Sequence, residues 1–275
     1  MWFRLEGQMK LNGKVVVITG AGNGMGRQMA LDAMARGASV FGVDLKEEAL
    51  KETAALAPAG AKFAYATANI ADRERVMQLP AEVEKALGAA DILVNNAGII
   101  QPFVKVNDLD FEAIDRVMNV NFSGPVNMVK AFLPGLLARP AAQIVNVSSM
   151  GAYAPVPGQT IYGASKAAVK LFTEGLRSEL FDTNVKVTVI FPGAINTNIA
   201  GNSGIAMDVD AASADAAKFK TTPVETAGRI MIDGIEAEAP RVFVGSDASM
   251  MDKMARLMPV KVAEIIYKQM KDLLK

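Results

Sequence analysis

The chain is expected to fold as a single α/β domain, a parallel sheet covered by helices on both faces. Three observations predict this. Seven short apolar runs of strand length recur along the 275 residues, separated by stretches of helical period. Strands that alternate with helices imply right-handed crossovers and therefore parallel pairing. Hydrophobic residues make up 51% of the chain, enough for one large core, and no repeat, low-complexity tract or linker divides it.

The elements follow in order. Residues 1–10 read as an N-terminal tail, with Met9 as an alternative start. Val15 to Thr19 is the first strand, and it runs into Thr19-Gly20-Ala21-Gly22-Asn23-Gly24-Met25-Gly26 before the helical pattern Gly24 to Arg36. Glycines there let the backbone turn tightly and approach a pyrophosphate, which free amides at a helix N-terminus stabilise. A tight turn packed on a neighbour would ask for the same glycines. The second strand, Ser39 to Val43, leads into Asp44, twenty residues after Gly24, where an acid accepts hydrogen bonds from an adenosine ribose; the pair favours a dinucleotide. Lys62 to Ala66 and Ile92 to Asn95 are the third and fourth strands, with helical patterns at Arg73 to Leu87 and Phe111 to Leu137 around the fourth. Ile144 to Val147, Val185 to Phe191 and Arg241 to Val244 complete the seven, and Ser149 brings a hydroxyl to the mouth of the fifth.

Missing residue types narrow the chemistry. The chain has no histidine and no cysteine, which excludes a Ser-His-Asp triad, a thiolate nucleophile, a histidine base and a structural zinc of the usual kind; no metal is expected. Tyr162 and Lys166, four apart, would stack on one helix face, placing an ammonium beside a phenol. The 29 basic residues balance the 29 acidic ones, leaving no overall field for nucleic acid and favouring a small-molecule partner. No apolar run approaches the roughly 18 residues of a membrane span, and the N-terminus lacks a signal-peptide core, so a cytoplasmic location is the expectation.

In order and spacing, several motifs between about Leu11 and Thr197 closely resemble the classical short-chain dehydrogenases/reductases. These are the Thr-Gly-x-x-x-Gly-x-Gly turn, Asn95-Asn96-Ala97-Gly98, Asn121, Ser149, Tyr162-x-x-x-Lys166, and Pro192-Gly193 ahead of Thr197. The resemblance implies a Rossmann-type, doubly wound seven-stranded sheet in the order 3-2-1-4-5-6-7, and hydride transfer between a nicotinamide and a secondary alcohol or ketone. Tyr162 would be the proton donor in reduction and the base in oxidation. Its phenol, near pKa 10 when free, would have to fall, and a cation at about 4 Å contributes on the order of three pKa units at an effective dielectric near 20. Lys166 would supply that cation and bind the nicotinamide ribose. Ser149 would donate to the substrate oxygen, while Ser148, pointing the other way, would be structural.

Pro125 has no N–H for the carbonyl of Asn121, four residues back. In the family, the matching asparagine holds a water with that carbonyl, linking the lysine to solvent; a simple kink is the other reading. The resemblance further implies cofactor contacts from Gly20, Asn23, Gly24, Met25, Gly26, Asp44, Leu45, Asn69, Ile70, Asn96, Ala97, Gly98, Pro192, Gly193, Ile195 and Thr197. Asn69 stands where the family usually has Asp. Asp44 would repel the phosphate of NADP, so NAD is preferred, with Arg27 and Lys46 leaving NADP as the alternative. A neutral, fairly hydrophobic substrate would meet Ile100, Phe103, Met150, Tyr153, Ile161 and Ile199.

Residues 198–222 would form a substrate lid or a plain surface loop. Residues 246–275 form a helical C-terminal extension with apolar stripes at Met250, Met251, Met254, Leu257 and Met258, then Val262, Ile265, Ile266, Met270 and Leu273. That stripe reads as packing over the pocket or against a sister subunit; the sharper alternative is a membrane-surface helix, since residues 250–275 carry six bases and three acids. A homo-oligomer, dimer or tetramer, is expected. The competing functional class is a catalytically idle dinucleotide-binding sensor or scaffold.

Overall fold

A computed structural model describes residues 9–205, 221–271 and 274. Seven parallel strands form one sheet: β1 (Val15–Thr19), β2 (Ser39–Asp44), β3 (Phe63–Thr67), β4 (Ile92–Asn95), β5 (Ala142–Val147), β6 (Val185–Pro192) and β7 (Arg241–Val244). Their spatial order is β3-β2-β1-β4-β5-β6-β7. This is the doubly wound order implied by the resemblance. The order reverses between β1 and β4, and such a switch point leaves a crevice at the carboxyl ends of the strands.

Successive strand residues point to opposite faces, so the core is split in two. On one face Val16, Ile18 and Val40 pack against Met29, Ala33 and Met34 of α1 (Gly24–Ala35), with Met231, Ile232 and Ile235 of a helix near the C-terminal end. On the other, Val15, Val17 and Phe41 meet Val83, Met128, Phe132 and Leu176. Every residue of β1, β4 and β5 is buried, as a sheet covered on both sides requires. Met9 is buried in the first cluster, so the tail expected over residues 1–10 reaches no further than residue 8, and residues 1–8 lie outside the described ones.

Helix α2 (Glu47–Ala55) follows β2. The pattern Arg73 to Leu87 is two helices, α3 (Arg73–Val76) and α4 (Leu79–Leu87). Phe111 to Leu137 is not one regular helix either. It comprises α5 (Phe111–Met118), a π-helical turn at Asn119–Ser123 and α6 (Gly124–Leu137), with the Gly124 N–H reaching back to the Asn119 carbonyl. Pro125, lacking an N–H, interrupts the regular ladder at this point. Gly124 has no room for a side chain, because a Cβ there would sit 2.6 Å from Ile70.

Helix α7 (Thr160–Glu179) carries Tyr162 and Lys166, α8 (Ile199–Asn202) begins the expected lid, and α9 (Val224–Glu236) precedes β7. Residues 206–220 of the lid, and Leu273 of the C-terminal stripe, fall outside the described residues. The C-terminal extension is a helical pair, α10 (Ser246–Leu257) and α11 (Pro259–Met270). Val262 and Ile266 are buried with Ala154, and Met150, Tyr153, Met251, Met254 and Met270 pack around them. Burying each aliphatic side chain is worth on the order of 2 kcal/mol. The extension is thereby seated on the loop that follows Ser149.

Candidate active site

The glycine turn is shaped by contacts as much as by backbone freedom. Gly20 and Gly24 have φ of +69° and +51°, the region glycine adopts at least cost. A Cβ on Gly26 would lie 2.0 Å from the Gly20 carbonyl oxygen, so the start of α1 rests directly on the turn. Thr19 ties this turn to β4: its hydroxyl oxygen accepts from the amides of Asn96 and Ala97, each at 3.0 Å. Asn95, buried, donates to Asn146 Oδ1 at 2.8 Å.

A cleft opens where the strand order reverses. It is lined by Gly20, Asn23, Gly24 and Met25, by Asp44 and Leu45, by Asn69 and Ile70, by Asn96, Ala97 and Gly98, and by Thr197 and Ile199 across from them. Asp44 accepts from the Gly22 amide at 2.9 Å and the Lys46 amide at 3.1 Å, which fixes its carboxylate at the end of β2. Arg27 is tied down by the Gly22 carbonyl, by Thr53 and by Glu52 at 2.6 Å. Asn69 Oδ1 accepts from the Ala71 amide in its own turn, and Asn127 holds the Ile70 carbonyl.

A second cavity adjoins the cleft and shares Met25, Asn96, Gly98, Thr197 and Ile199 with it. Here Ser149, Tyr162 and Lys166 come together with Ile100, Pro192, Gly193 and Ile195. Lys166 is buried, and its Nζ donates to the Val147 carbonyl at 3.1 Å. A Cβ on Gly98 would stand 3.0 Å from that Nζ, so glycine leaves the ammonium its space. The Ser148 hydroxyl donates to the Lys166 carbonyl at 2.8 Å, tying the end of β5 to α7.

Burial shifts the pKa of both groups. It lowers the Lys166 pKa from 10.5 to about 8 and raises that of Tyr162, against which the Ser149 hydroxyl acts by hydrogen bonding. The expected fall of the phenol pKa is therefore not what the fold itself produces. Lys166 Nζ sits 6.0 Å from the Tyr162 ring centroid, and the low-dielectric surroundings that would strengthen its pull also disfavour each charged form.

Asn121, fully buried in the π turn, uses its whole side chain as a clamp. Its Oδ1 accepts from the Ile99 amide at 2.8 Å, and its Nδ2 donates to the Ile99 carbonyl and to Ser165 Oγ. Its main-chain carbonyl faces the position where Pro125 has no N–H to offer. Of the six substrate candidates, Ile100 and Ile199 line the second cavity. Met150 and Tyr153 pack toward the C-terminal helices, the Tyr153 hydroxyl donating to the Ala248 carbonyl at 2.8 Å. Phe103 lies beside Gly158 and Leu274, and Ile161 sits in the first turn of α7.

Two positioning residues have no motif that would reveal them. Gln101, fully buried, accepts from the amides of Ile161 and Tyr162 at 2.8 and 3.0 Å and so caps the helix that carries the phenol. Asp247, in the first turn of α10, accepts from the Ala194 amide at 2.8 Å, and a Cβ on Gly193 would come within 2.3 Å of its carboxylate. The loop Gly193 to Thr197 is thus held from the C-terminal extension. From the other side it pairs with Thr222, which exchanges backbone bonds with Ala194 and Asn196.

The cleft fits a dinucleotide. Its turn bares backbone amides at a helix N-terminus, its glycines stand where side chains would collide or fill the space, and Asn96 Oδ1 is a buried acceptor with no partner among the described residues. Among the described residues no cluster of side chains could hold a metal ion.

Comparison with known proteins agrees with this arrangement. The model of the short chain dehydrogenase family matches residues 14–208. The candidate oxidoreductase SadH of Mycobacterium tuberculosis is 38% identical over 253 residues, covering 90% of this chain and 91% of its own. Dehydrogenase/reductase SDR family member 7B of Mus musculus is 33% identical over 229 residues, covering 82% of this chain and 68% of its own. Among solved structures, a short chain dehydrogenase/reductase from Burkholderia phymatum in complex with NAD superimposes with a TM-score of 0.83 at 25% identity, over 94% of this chain and 96% of that one. A short chain dehydrogenase from Burkholderia cenocepacia J2315 in complex with NADP gives 0.78 at 26% identity, over 94% and 99%.

Proposed function

This chain belongs to the short-chain dehydrogenase family, and from that premise we propose that it is an NAD-dependent oxidoreductase acting on a neutral, hydrophobic secondary alcohol or the corresponding ketone. One observation carries the reading: the cavity that gathers Ser149, Tyr162 and Lys166 opens directly into the dinucleotide cleft. NAD, when bound, supplies the hydride acceptor. Tyr162 then takes the proton from the alcohol hydroxyl, or returns it to the carbonyl oxygen in reduction. Ser149 donates a hydrogen bond to the same oxygen, where negative charge develops. Lys166, with a pKa of about 8, holds its proton at neutral pH yet releases it at modest cost, which suits a relay behind the phenol. The Asn121 carbonyl, without an α-helical donor from Pro125, is the acceptor through which a water would connect that relay to solvent.

The choice of NAD rests on Asp44, whose carboxylate lines the cleft at the end of β2 and would repel a ribose phosphate. Arg27, the guanidinium next to the glycine turn, is occupied by Glu52 and the Gly22 carbonyl. Lys46 lines the same cleft and is the observation on which an NADP-preferring carbonyl reductase would stand. For the substrate, Lys166 is the one charged side chain among the described residues on the wall of the second cavity, and Met25, Ile100, Val147, Ile195 and Ile199 supply apolar surface. Self-association would use exposed apolar residues such as Phe111 and Leu171, which lie on the packed neighbours α5 and α7.

A panel of secondary alcohols, offered with NAD and then with NADP and followed at the nicotinamide absorbance, tests the proposal. Turnover with NAD, rising as the alcohol becomes more apolar, supports it. A protein that binds NAD but oxidises none of the panel and reduces none of the matching ketones would be an idle dinucleotide binder instead.

A further inference from the structure

We propose that the outer face of the C-terminal helical pair docks on an anionic lipid surface. The inner face of this pair is accounted for, since Val262 and Ile266 are buried against Ala154. The outer face is not. On α11, Val260, Lys261, Glu264, Tyr267 and Lys268 recur at the spacing of one helical face, with Lys271 a turn beyond, and all are exposed. Val260 is 72% exposed and Tyr267 53%, while Leu257, at the corner between the helices, is 80% exposed. Large apolar side chains left in water on one ridge need a partner surface.

Charge selects that partner. The whole chain is neutral, with 29 bases and 29 acids, yet residues 250–275 carry six bases against three acids. Asp252 is buried and paired with Arg241 and Arg256, so that acid and Arg256 offset one another, and Asp272 and Lys275 lie outside the described residues. Among the described residues, the exposed stripe of α11 and the residue that follows it present Lys261, Lys268 and Lys271 against Glu264. Lysines interleaved with Val, Leu and Tyr at helical spacing suit a bilayer surface, where rings and aliphatic tips enter the headgroup layer and ammonium groups rise to the phosphates. A second copy of the chain fits less well. Symmetric pairing would set these lysines against one another, and protein interface cores are depleted in lysine. Docking would be peripheral, because no described helix is long and apolar enough to cross a membrane.

Co-sedimentation of the full chain with vesicles tests this, comparing phosphatidylcholine alone with equal parts phosphatidylcholine and phosphatidylglycerol. Two double variants change only exposed residues: Lys261→Glu with Lys268→Glu, and Leu257→Ser with Val260→Ser. Wild type should pellet with the anionic vesicles, not with phosphatidylcholine, and high salt should release it. Each double variant should bind the anionic vesicles at least about tenfold more weakly, with an unchanged melting temperature and circular dichroism spectrum. Absence of binding by wild type, or equal binding by wild type and both variants, would overturn the inference. So would a drop in oligomeric mass in Leu257→Ser with Val260→Ser by analytical ultracentrifugation, which would give the face to a second copy.

Discussion

Replacing Lys166 by methionine should abolish turnover yet stabilise the cofactor-free protein at neutral pH. Lys166 is 4% exposed, and burial lowers its pKa from 10.5 to about 8. A lysine with a depressed pKa binds fewer protons in the folded state than in the unfolded one between those two values, so stability rises with pH through that window. Below about pH 8 the fold must hold the buried charge, at a cost of about 3 kcal/mol. Methionine removes that cost at similar volume but gives up the hydrogen bond to the Val147 carbonyl, worth about 1 kcal/mol. The net gain at pH 7 is then about 2 kcal/mol, a rise in Tm of roughly 5 °C for a chain of this size. The pH dependence is the sharper observable. Urea denaturation of both proteins from pH 7 to pH 10 should show the advantage of Lys166→Met shrinking by roughly 2 to 3 kcal/mol, because wild type sheds its buried charge while other groups titrate alike in both. A constant difference, or a variant less stable at pH 7 than at pH 10 relative to wild type, would refute the assignment of Lys166 as a destabilised buried cation.

Three further outcomes are expected. Tyr162→Phe should lower kcat by at least about a hundredfold while leaving the Kd for NAD, measured by fluorescence titration, nearly unchanged; retained turnover would remove the phenol from the chemistry. In Asp44→Ala, the ratio of kcat/KM with NAD to that with NADP should fall about tenfold or more, and an unchanged ratio would mean another group sets the preference. Asp247→Ala should weaken NAD binding by roughly tenfold through loss of the bond to the Ala194 amide, whereas Asp247→Asn, which keeps an acceptor, should restore most of it; equal effects in the two would point to charge and not to loop position.

The fold class and the position of the site were legible in the sequence because both rest on local pattern. Continuous apolar runs such as Val15 to Thr19 must face a core on both sides wherever they pair, and a strand running into glycines and then a helix N-terminus presents backbone amides whatever surrounds it. Tyr162 and Lys166 are bound to share a helix face by their spacing alone. Tertiary structure decided what depends on residues far apart in the chain. Gln101 reaches the amides of Ile161 and Tyr162 across some sixty positions, and Asp247 reaches Ala194 across 53. Their roles follow from where the ends of β4 and β7 lie, which no local motif encodes. The direction of the Tyr162 shift is of the same kind: spacing puts a cation near the phenol, but burial of both groups sets the balance between attraction and desolvation. The two faces of the C-terminal helices were visible as a stripe and as a surplus of bases; only the packing of Val262 and Ile266 on Ala154 showed which face was spent on the core and which was left exposed. Periodicity tells which residues of a helix lie together, and the surface that meets them is contributed by the rest of the fold.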